Sequence, residues 1–132
     1  MQVNEYLFQG NDGENVPESV QKLIVNPGIH VVPDNLCNSY EFLREVSLPD
    51  GLIKIGSWAF GFCKSLSEIK ISSTVESIGE GAFARCKLLA NVEFESSPSL
   101  PNQLKTIGDQ AFEFCQSLQR IKIPSSVNRI GQ

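Results

Sequence analysis

A unit of 23 residues repeats along this chain and limits how the chain folds more than any other feature of the sequence. The unit has the pattern I-G-x-x-A-F-x-x-C-x-x-L-x-x-I-x-I, and copies begin at Ile55, Ile78, Ile107 and Ile130. Residue types that return at a fixed period of this length occupy equivalent places in successive turns of a solenoid. The sequence therefore predicts stacked coils, each of which buries the apolar face of the next.

The repeats define the expected domain organisation. A step of 23 residues back from Leu52 and Ile55 reaches Ile29 and Val32, so a degenerate copy precedes the regular ones. Residues 16–27 are predicted to be a partial cap, and residues 1–15 are an N-terminal segment that the pattern does not assign. A six-residue insertion within 95–103 contains two prolines and predicts a loop. The last repeat is incomplete, and residues 16–132 form the expected repeat domain.

Two sides of each coil are predicted from local patterns. Apolar residues alternate in short runs, as expected for strands with one buried face that stack into a parallel sheet. These runs are Val46-x-Leu48, Ile69-x-Ile71, Val92-x-Phe94 and Ile121-x-Ile123. On the other side, each copy has a residue suited to begin a helical turn directly after a position that is Pro33 in the first copy and glycine in the others. These residues are Asp34, Ser57, Glu80 and Asp109. Aspartate and serine are good N-caps, so a short helical turn is predicted there.

The glycine column has two interpretations. Proline never adopts a positive φ, so Pro33 argues that this column does not require a left-handed backbone in every coil. Entry into a helical turn suits both proline and glycine and is the favoured interpretation. A close backbone approach between coils is the alternative.

The repeat resembles the BspA-like, Treponema-type class of leucine-rich repeats. The resemblance covers about residues 16–132 and is most specific in residues 55–71, 78–94 and 107–124. It implies an α/β fold, a right-handed solenoid of about five stacked coils with a parallel sheet on one face and short helical turns or extended segments on the other. It also implies protein binding or adhesion. Pro33, Leu36-Cys37 and Tyr40 depart from the pattern in the first copy.

Composition and charge exclude some classes of function. The 132 residues have a formal net charge of −4, with 11 Lys plus Arg against 15 Asp plus Glu and no basic run, which argues against nucleic acid as a partner. No apolar stretch is long enough to insert into a membrane, and residues 1–5 do not resemble a signal peptide. A cytoplasmic location is the default expectation, and a cell-surface location follows if the chain is a fragment.

The cysteines and the single histidine carry little chemical signal. The four cysteines, at positions 37, 63, 86 and 115, contain no C-x-x-C pair, and three share one repeat column. Buried free thiols are therefore expected rather than a metal site or a disulfide. His30 has no nucleophile or carboxylate at a recognisable motif spacing, and the glycines form no phosphate-binding loop. No catalytic residue, cofactor or metal is expected.

Outward-facing strand positions form a polar strip, which is the first candidate contact surface. One column of the strip contains Lys22, Glu45, Glu68, Asn91 and Arg120, and the other contains Ile24, Ser47, Lys70, Glu93 and Lys122. Adjacent parallel strands lie about 4.8 Å apart, so these side chains are expected to be continuous. The strip is either a partner-binding surface or an ordinary solvated sheet face.

A second candidate surface consists of Trp58 and Phe62. If the helical turn forms, these residues lie at i and i+4 on its outward side. Phe114 repeats the position of Phe62 two units later. Exposed aromatic residues are common binding anchors, but they also cover the edges of neighbouring coils.

The sequence thus predicts a non-catalytic module that presents a curved sheet to a protein partner. A structural or adhesive segment of a longer cell-surface array is the alternative, and an enzyme assembled from separate coils is a distant third. The sequence ends at Ile130-Gly131-Gln132 within a repeat, which leaves an apolar coil edge uncovered. Either a longer array or self-association through this C-terminal coil is therefore expected.

Overall fold

The computed structural model describes residues 4–96 and 99–132. These residues form ten short strands joined by turns, and they contain no helix. Positions 97 and 98 of the predicted insertion loop, and positions 1–3 of the N-terminal segment, lie outside the described residues.

The strands form parallel sheets on two sides of the coils. The first side contains β1 (Glu5–Phe8), β2 (Lys22–Val25) and β4 (Glu45–Ser47) in one sheet, and β6 (Glu68–Ile71) and β8 (Asn91–Phe94) in another. The second side is one five-stranded sheet of two-residue strands. These are β3 (Val31–Val32), β5 (Lys54–Ile55), β7 (Ser77–Ile78), β9 (Thr106–Ile107) and β10 (Arg129–Ile130).

Strand pairing confirms that the sequence repeat is a structural repeat. Ile55 pairs with Ile78, and Ile78 pairs with Ile107, so the same column position is kept across the six-residue insertion. All the pairs are parallel, as the alternating pattern predicted. The second sheet was not predicted, because two-residue strands are too short to show alternation. Ile121–Ile123 was predicted to be a strand but is not one in the structure.

The N-terminal segment contains a strand and an ordered loop. Strand β1 pairs in parallel with β2, and Glu5 lies opposite Lys22. The Tyr6 hydroxyl donates to the Glu14 carboxylate at 2.7 Å, and the backbone N–H groups of Gln9 and Asn11 also donate to it. These bonds favour the charged carboxylate, so they lower the pKa of Glu14. Glu14 therefore closes the loop that follows β1.

The predicted helical turns are not formed, because alternate N–H groups bond to the next coil. The N–H groups of Trp58, Phe60 and Phe62 donate to carbonyls one coil onward at 2.8, 2.9 and 2.7 Å. An α-helix needs these same donors for its own i−4 carbonyls. The intervening N–H groups of Ala59 and Gly61 donate within the coil, to Gly56 and Trp58. Each coil therefore crosses this side as a series of tight turns, which we call the turn ribbon (residues 33–40, 56–63, 79–86 and 108–115).

The aspartates predicted to be N-caps also act between coils. Asp34 Oδ1 accepts from the Ser57 N–H at 2.8 Å, and Asp109 Oδ1 accepts from the Gln132 N–H at 3.0 Å. A carboxylate satisfies a backbone donor here as it would at a helix N-terminus. The donor, however, belongs to the next coil rather than to the same turn.

The glycine column is explained by close approach between coils. A Cβ on Gly56 would lie 2.6 Å from the Asp34 nitrogen, and one on Gly79 would lie 2.6 Å from the Ser57 nitrogen. Helix entry, the favoured interpretation, is therefore wrong, and the alternative is correct. Pro33 is tolerated because it borders an open cavity of about 760 Å³ next to the N-terminal loop.

The core is built from equivalent residues of successive coils. Phe60 and Phe83 stack with ring centroids 5.6 Å apart, and Phe83 and Phe112 stack at 5.4 Å. Phe60 and Phe83 are fully buried together with Leu52, Ile55, Leu66 and Leu89. Offset aromatic pairs add about 0.5–1.5 kcal/mol each beyond the area that they bury. The phenylalanine column therefore links neighbouring coils through side-chain packing, in addition to the hydrogen bonds that link their backbones.

We predict that Gly79→Ala destabilises the chain by about 1–3 kcal/mol, because the added methyl group forces the coils apart. Gly28→Ala is the matched control, since its Cβ would meet nothing closer than 3.8 Å. That change should be neutral or stabilising by up to about 1 kcal/mol. Urea unfolding followed by circular dichroism measures both changes. Equal stabilities of the two variants would contradict the close-approach explanation.

Candidate interaction surfaces

The polar strip lies on the first side of the coils, with its residues in register. Glu68 lies opposite Asn91, and Lys70 lies opposite Glu93, across β6 and β8. All the charged or polar strip residues are exposed except Lys22, which is half-buried. The structure therefore places these candidate residues on one solvent-facing surface.

The strip is not continuous, contrary to expectation, because the strands separate at two places. Strands β4 and β6 belong to different sheets, and a cleft of about 180 Å³ lies between them, bordered by Glu45, Ser47, Glu68 and Lys70. A second cleft of about 430 Å³ lies beyond β8, where the predicted strand 121–123 is not formed. The polar residues that border it are Glu68, Asn91, Glu93, Arg120 and Lys122.

Opposite charges on the strip form ion pairs at its N-terminal end and lie around the second cleft at its C-terminal end. Lys22 lies 4.0 Å from the carboxylates of both Glu5 and Glu45, and these exposed pairs contribute about 0–1 kcal/mol each. The second cleft has carboxylates on β6 and β8 and the cations Arg120 and Lys122 on the last coil. Both clefts are therefore bordered by carboxylates and by cations.

Trp58 and Phe62 lie in the turn ribbon rather than on a helix. Their rings stack with centroids 6.3 Å apart and an interplanar angle of 25°, although the helical turn on which they were expected to lie is not formed. Both have a left-handed backbone, with φ of 58° and 61°. Phe114 and Gln110, in the equivalent positions two coils later, have φ of 56° and 60°. A left-handed conformation costs a residue with a Cβ about 1–2 kcal/mol.

An arginine joins the aromatic residues of successive coils. The Arg85 guanidinium carbon lies 5.7 Å from the Phe62 ring centroid and 4.4 Å from that of Phe114. We call Trp58, Phe62, Arg85 and Phe114 the aromatic–arginine ladder. Sequence reasoning named Trp58 and Phe62 as candidates and placed Phe114 in the column of Phe62, but it did not add Arg85, which is displaced from Phe62 by one 23-residue repeat.

The two predicted aromatic anchors have different environments. The Trp58 ring covers the next coil, since a Cβ on Gly81 would lie 2.4 Å from Trp58 Cδ2. Phe62 is 39% exposed and Phe114 is 55% exposed. Trp58 therefore matches the alternative of covering a neighbouring coil, whereas the two phenylalanines present apolar surface to solvent.

The cysteine column lies in the core, and its thiols bond to the backbone. The Sγ atoms of Cys63, Cys86 and Cys115 donate to the carbonyls of Cys37, Phe60 and Phe83 at 3.2, 3.1 and 3.1 Å. All four cysteines are free. Burial raises the pKa of Cys37 from 9.0 to about 12 and also raises that of the other three. Their reactive thiolate form is therefore disfavoured.

Two other positions that the sequence analysis considered are His30 and the apolar edge of the last coil. His30 is exposed, and its Nδ1 lies 3.2 Å from the Gly51 carbonyl. At the last coil, Ile130 is 59% exposed beside a cavity of about 420 Å³ that Phe112, Ile121 and Ile123 also border. Within residues 4–96 and 99–132, no group of three His, Cys, Asp or Glu residues has a metal-binding arrangement. No helix in this part of the chain is long and apolar enough to cross a bilayer.

Comparison with known protein families agrees with this repeat geometry. Residues 30–132 match the BspA type leucine rich repeat region, in six copies. The chain belongs to this family. The resemblance found in the sequence is thereby confirmed, including its description as a leucine-rich-repeat protein with parallel sheets. No curated protein matches the BspA-type chain.

Solved leucine-rich-repeat structures resemble the BspA-type chain over most of its length. A protein from Bacteroides ovatus is 30% identical, with a TM-score of 0.73, over 87% of this chain and 30% of its own. The leucine-rich-repeat protein of T. pallidum is 23% identical, with a TM-score of 0.75, over 98% of this chain and 63% of its own.

A cell surface protein from Faecalibacterium prausnitzii is 17% identical, with a TM-score of 0.60, over 89% of this chain and 34% of its own. The BspA-type chain therefore spans less than two thirds of each of these three relatives.

We predict that iodoacetamide at pH 8 labels no cysteine in the folded chain and labels four after denaturation in guanidinium chloride. The buried, protonated thiols offer neither access nor thiolate to the reagent. Intact mass spectrometry counts the labels. Ser125→Cys, at an exposed position, should add one label to the folded chain. Fewer than four labels after denaturation would contradict the assignment of free thiols.

We predict that alkaline pH destabilises the fold through these thiols. In the unfolded chain the Cys37 thiol ionises around pH 9.0, whereas burial raises its pKa to about 12 in the folded chain. Below pH 9.0 the thiol is protonated in both states, and its full contribution to folding stability is present. Between pH 9.0 and about 12 it ionises only in the unfolded chain, so this contribution is lost as the pH rises. The loss is about 1.4 kcal/mol per pH unit per thiol. Urea unfolding between pH 8 and 11 should show the stability advantage of the wild type over Cys37→Ala narrowing above pH 9. A constant difference would disprove the linkage.

Proposed function

We propose that this chain is a non-catalytic protein–protein interaction module built on a right-handed solenoid of about five coils. The polar strip is its contact surface. The observation that carries the proposal is the second cleft, where Glu68 and Glu93 lie on one side and Arg120 and Lys122 on the other. A soluble sheet face requires only scattered charges and no cleft between its strands.

The geometry of the strands favours a polypeptide as the partner. Beyond β8 the strand edge is unpaired within the described residues. An extended peptide adds to such an edge through main-chain hydrogen bonds and places alternate side chains against the sheet face. The charges around the clefts then select side chains of opposite sign.

Rigidity supports the same role. Ile69 and Ile71 are buried on the inner face of β6, so the outward positions between and beside them are fixed by the core. A preorganised surface loses little conformational entropy when it binds, and more of the contact energy becomes affinity. The strip therefore has the properties of a recognition surface.

A structural or adhesive segment of a longer cell-surface array is the second candidate function. The relative from Faecalibacterium prausnitzii is described as a cell surface protein, and this chain covers 34% of it. In such an array these coils act as a spacer. Mutations on the polar strip then leave adhesion unchanged.

We predict that the double variant Arg120→Glu, Lys122→Glu loses the captured partner while its melting temperature stays within about 2 °C of the wild type. The reversal places like charges around the second cleft and repels an acidic partner segment. Affinity capture on the immobilised chain, followed by mass spectrometry, measures retention.

The matched control is Lys54→Glu, Lys105→Glu, which makes the same change in net charge at exposed positions outside the strip. This control should retain the partner. Equal retention by both double variants would reject the strip as the contact surface and favour the spacer function.

A further inference from the structure

The aromatic–arginine ladder occupies backbone positions that do not suit its residues. Each of the four segments of the turn ribbon contains two residues with a left-handed backbone. Asn35 and Gly81 are among these residues and tolerate this conformation well. Trp58, Phe62 and Phe114 occupy the same two columns with φ between 56° and 61°. Ser39, Arg85 and Gln110 have the same backbone, so the fold imposes it on every coil. The unusual feature is that bulky aromatic side chains, which rarely adopt this conformation, occupy three of these positions.

The ladder combines exposed apolar surface with an unneutralised charge. Arg85 is exposed, and no carboxylate within the described residues lies within 4.0 Å of its guanidinium nitrogens. Lys64 differs from Arg85, because it pairs with Glu41 at 3.9 Å. The rings of Phe62 and Phe114 hold the guanidinium group, and its N–H donors make no hydrogen bond in this part of the chain.

We propose that this ladder is a second binding site, separate from the polar strip, for an acidic peptide segment that carries an aromatic or large aliphatic side chain. The carboxylate of the peptide pairs with Arg85, whose fixed planar donors suit a bidentate contact. The apolar side chain packs on the parts of the Phe62 and Phe114 rings that Trp58 and Arg85 leave exposed. Aromatic residues and arginine are the types that most often dominate binding energy at protein interfaces.

Charge and geometry favour this occupant over others. A basic segment would be repelled by Arg85 and by Lys87, which is exposed two residues later and has no ion pair within the described residues. The contact area is narrow, since it follows one column across three coils. A short peptide segment fits such a column.

The test begins with a random twelve-residue peptide library displayed on phage and selected against the immobilised chain. The selected consensus, synthesised with a fluorescein label, is titrated with the chain while fluorescence anisotropy is measured. We expect a consensus that contains Asp or Glu beside an aromatic or aliphatic residue. Raising the salt concentration should weaken its binding, because the carboxylate–guanidinium contact is partly screened.

Three variants locate the binding site. Arg85→Gln removes the charge but keeps hydrogen-bonding capacity, and Phe62→Asn removes a ring with a residue that tolerates the left-handed backbone. Each should raise Kd at least about tenfold. The control Arg44→Gln, at an exposed arginine outside the ladder, should leave Kd unchanged. Circular dichroism confirms that each variant remains folded.

The strip variant Arg120→Glu, Lys122→Glu should bind the selected peptide as the wild type does, which separates this site from the polar strip. The proposal is overturned if no peptide is enriched, if the consensus lacks acidic residues, or if Arg85→Gln leaves Kd unchanged. Arg85-dependent binding to phosphatidylserine vesicles without peptide enrichment would also overturn it and assign the ladder to a lipid surface.

Discussion

The close contact between the backbones of successive coils is the constraint on which the rest of this structure depends. The glycine column allows coils to approach until a Cβ on Gly79 would lie 2.6 Å from the preceding backbone. At this separation the N–H groups of alternate ribbon residues reach carbonyls of the next coil at 2.7–2.9 Å. One larger residue in this column would lengthen several such bonds together. The spacing of the main chains therefore sets the spacing of every side-chain column.

Columns in register give this chain both its interior and its surfaces. Phe60 and Phe83 stack inside, and the Cys86 thiol satisfies a carbonyl of the preceding coil that would otherwise lack a donor in an apolar interior. Outside, the same register places Arg85 between Phe62 and Phe114. A substitution at one position therefore acts on the coils before and after it, as expected for stability that depends on nearest neighbours.

The sequence was sufficient to predict the period and the outward columns of the polar strip from steps of 23, and the parallel strands up to β8 from apolar alternation. It failed at the ribbon, since an aspartate after glycine, as at Asp34 or Asp109, fits both a helix N-cap and an acceptor for the next coil. The clefts beside Glu68 also escaped prediction. The period fixes which residues are equivalent, but it does not report where neighbouring strands separate.

Energetic balance explains why the ribbon columns tolerate such different residues. Trp58, Phe62 and Phe114 each lose about 1–2 kcal/mol to the left-handed backbone. One ring stack returns about 0.5–1.5 kcal/mol, and two exposed cation–π contacts return about 0.5–1 kcal/mol each. These ring contacts offset only part of the backbone cost, and the area that each ring buries supplies the rest. Trp58 has a folding role in this column because its ring covers Gly81 of the next coil, whereas Phe62 and Phe114 leave much of their ring surface exposed.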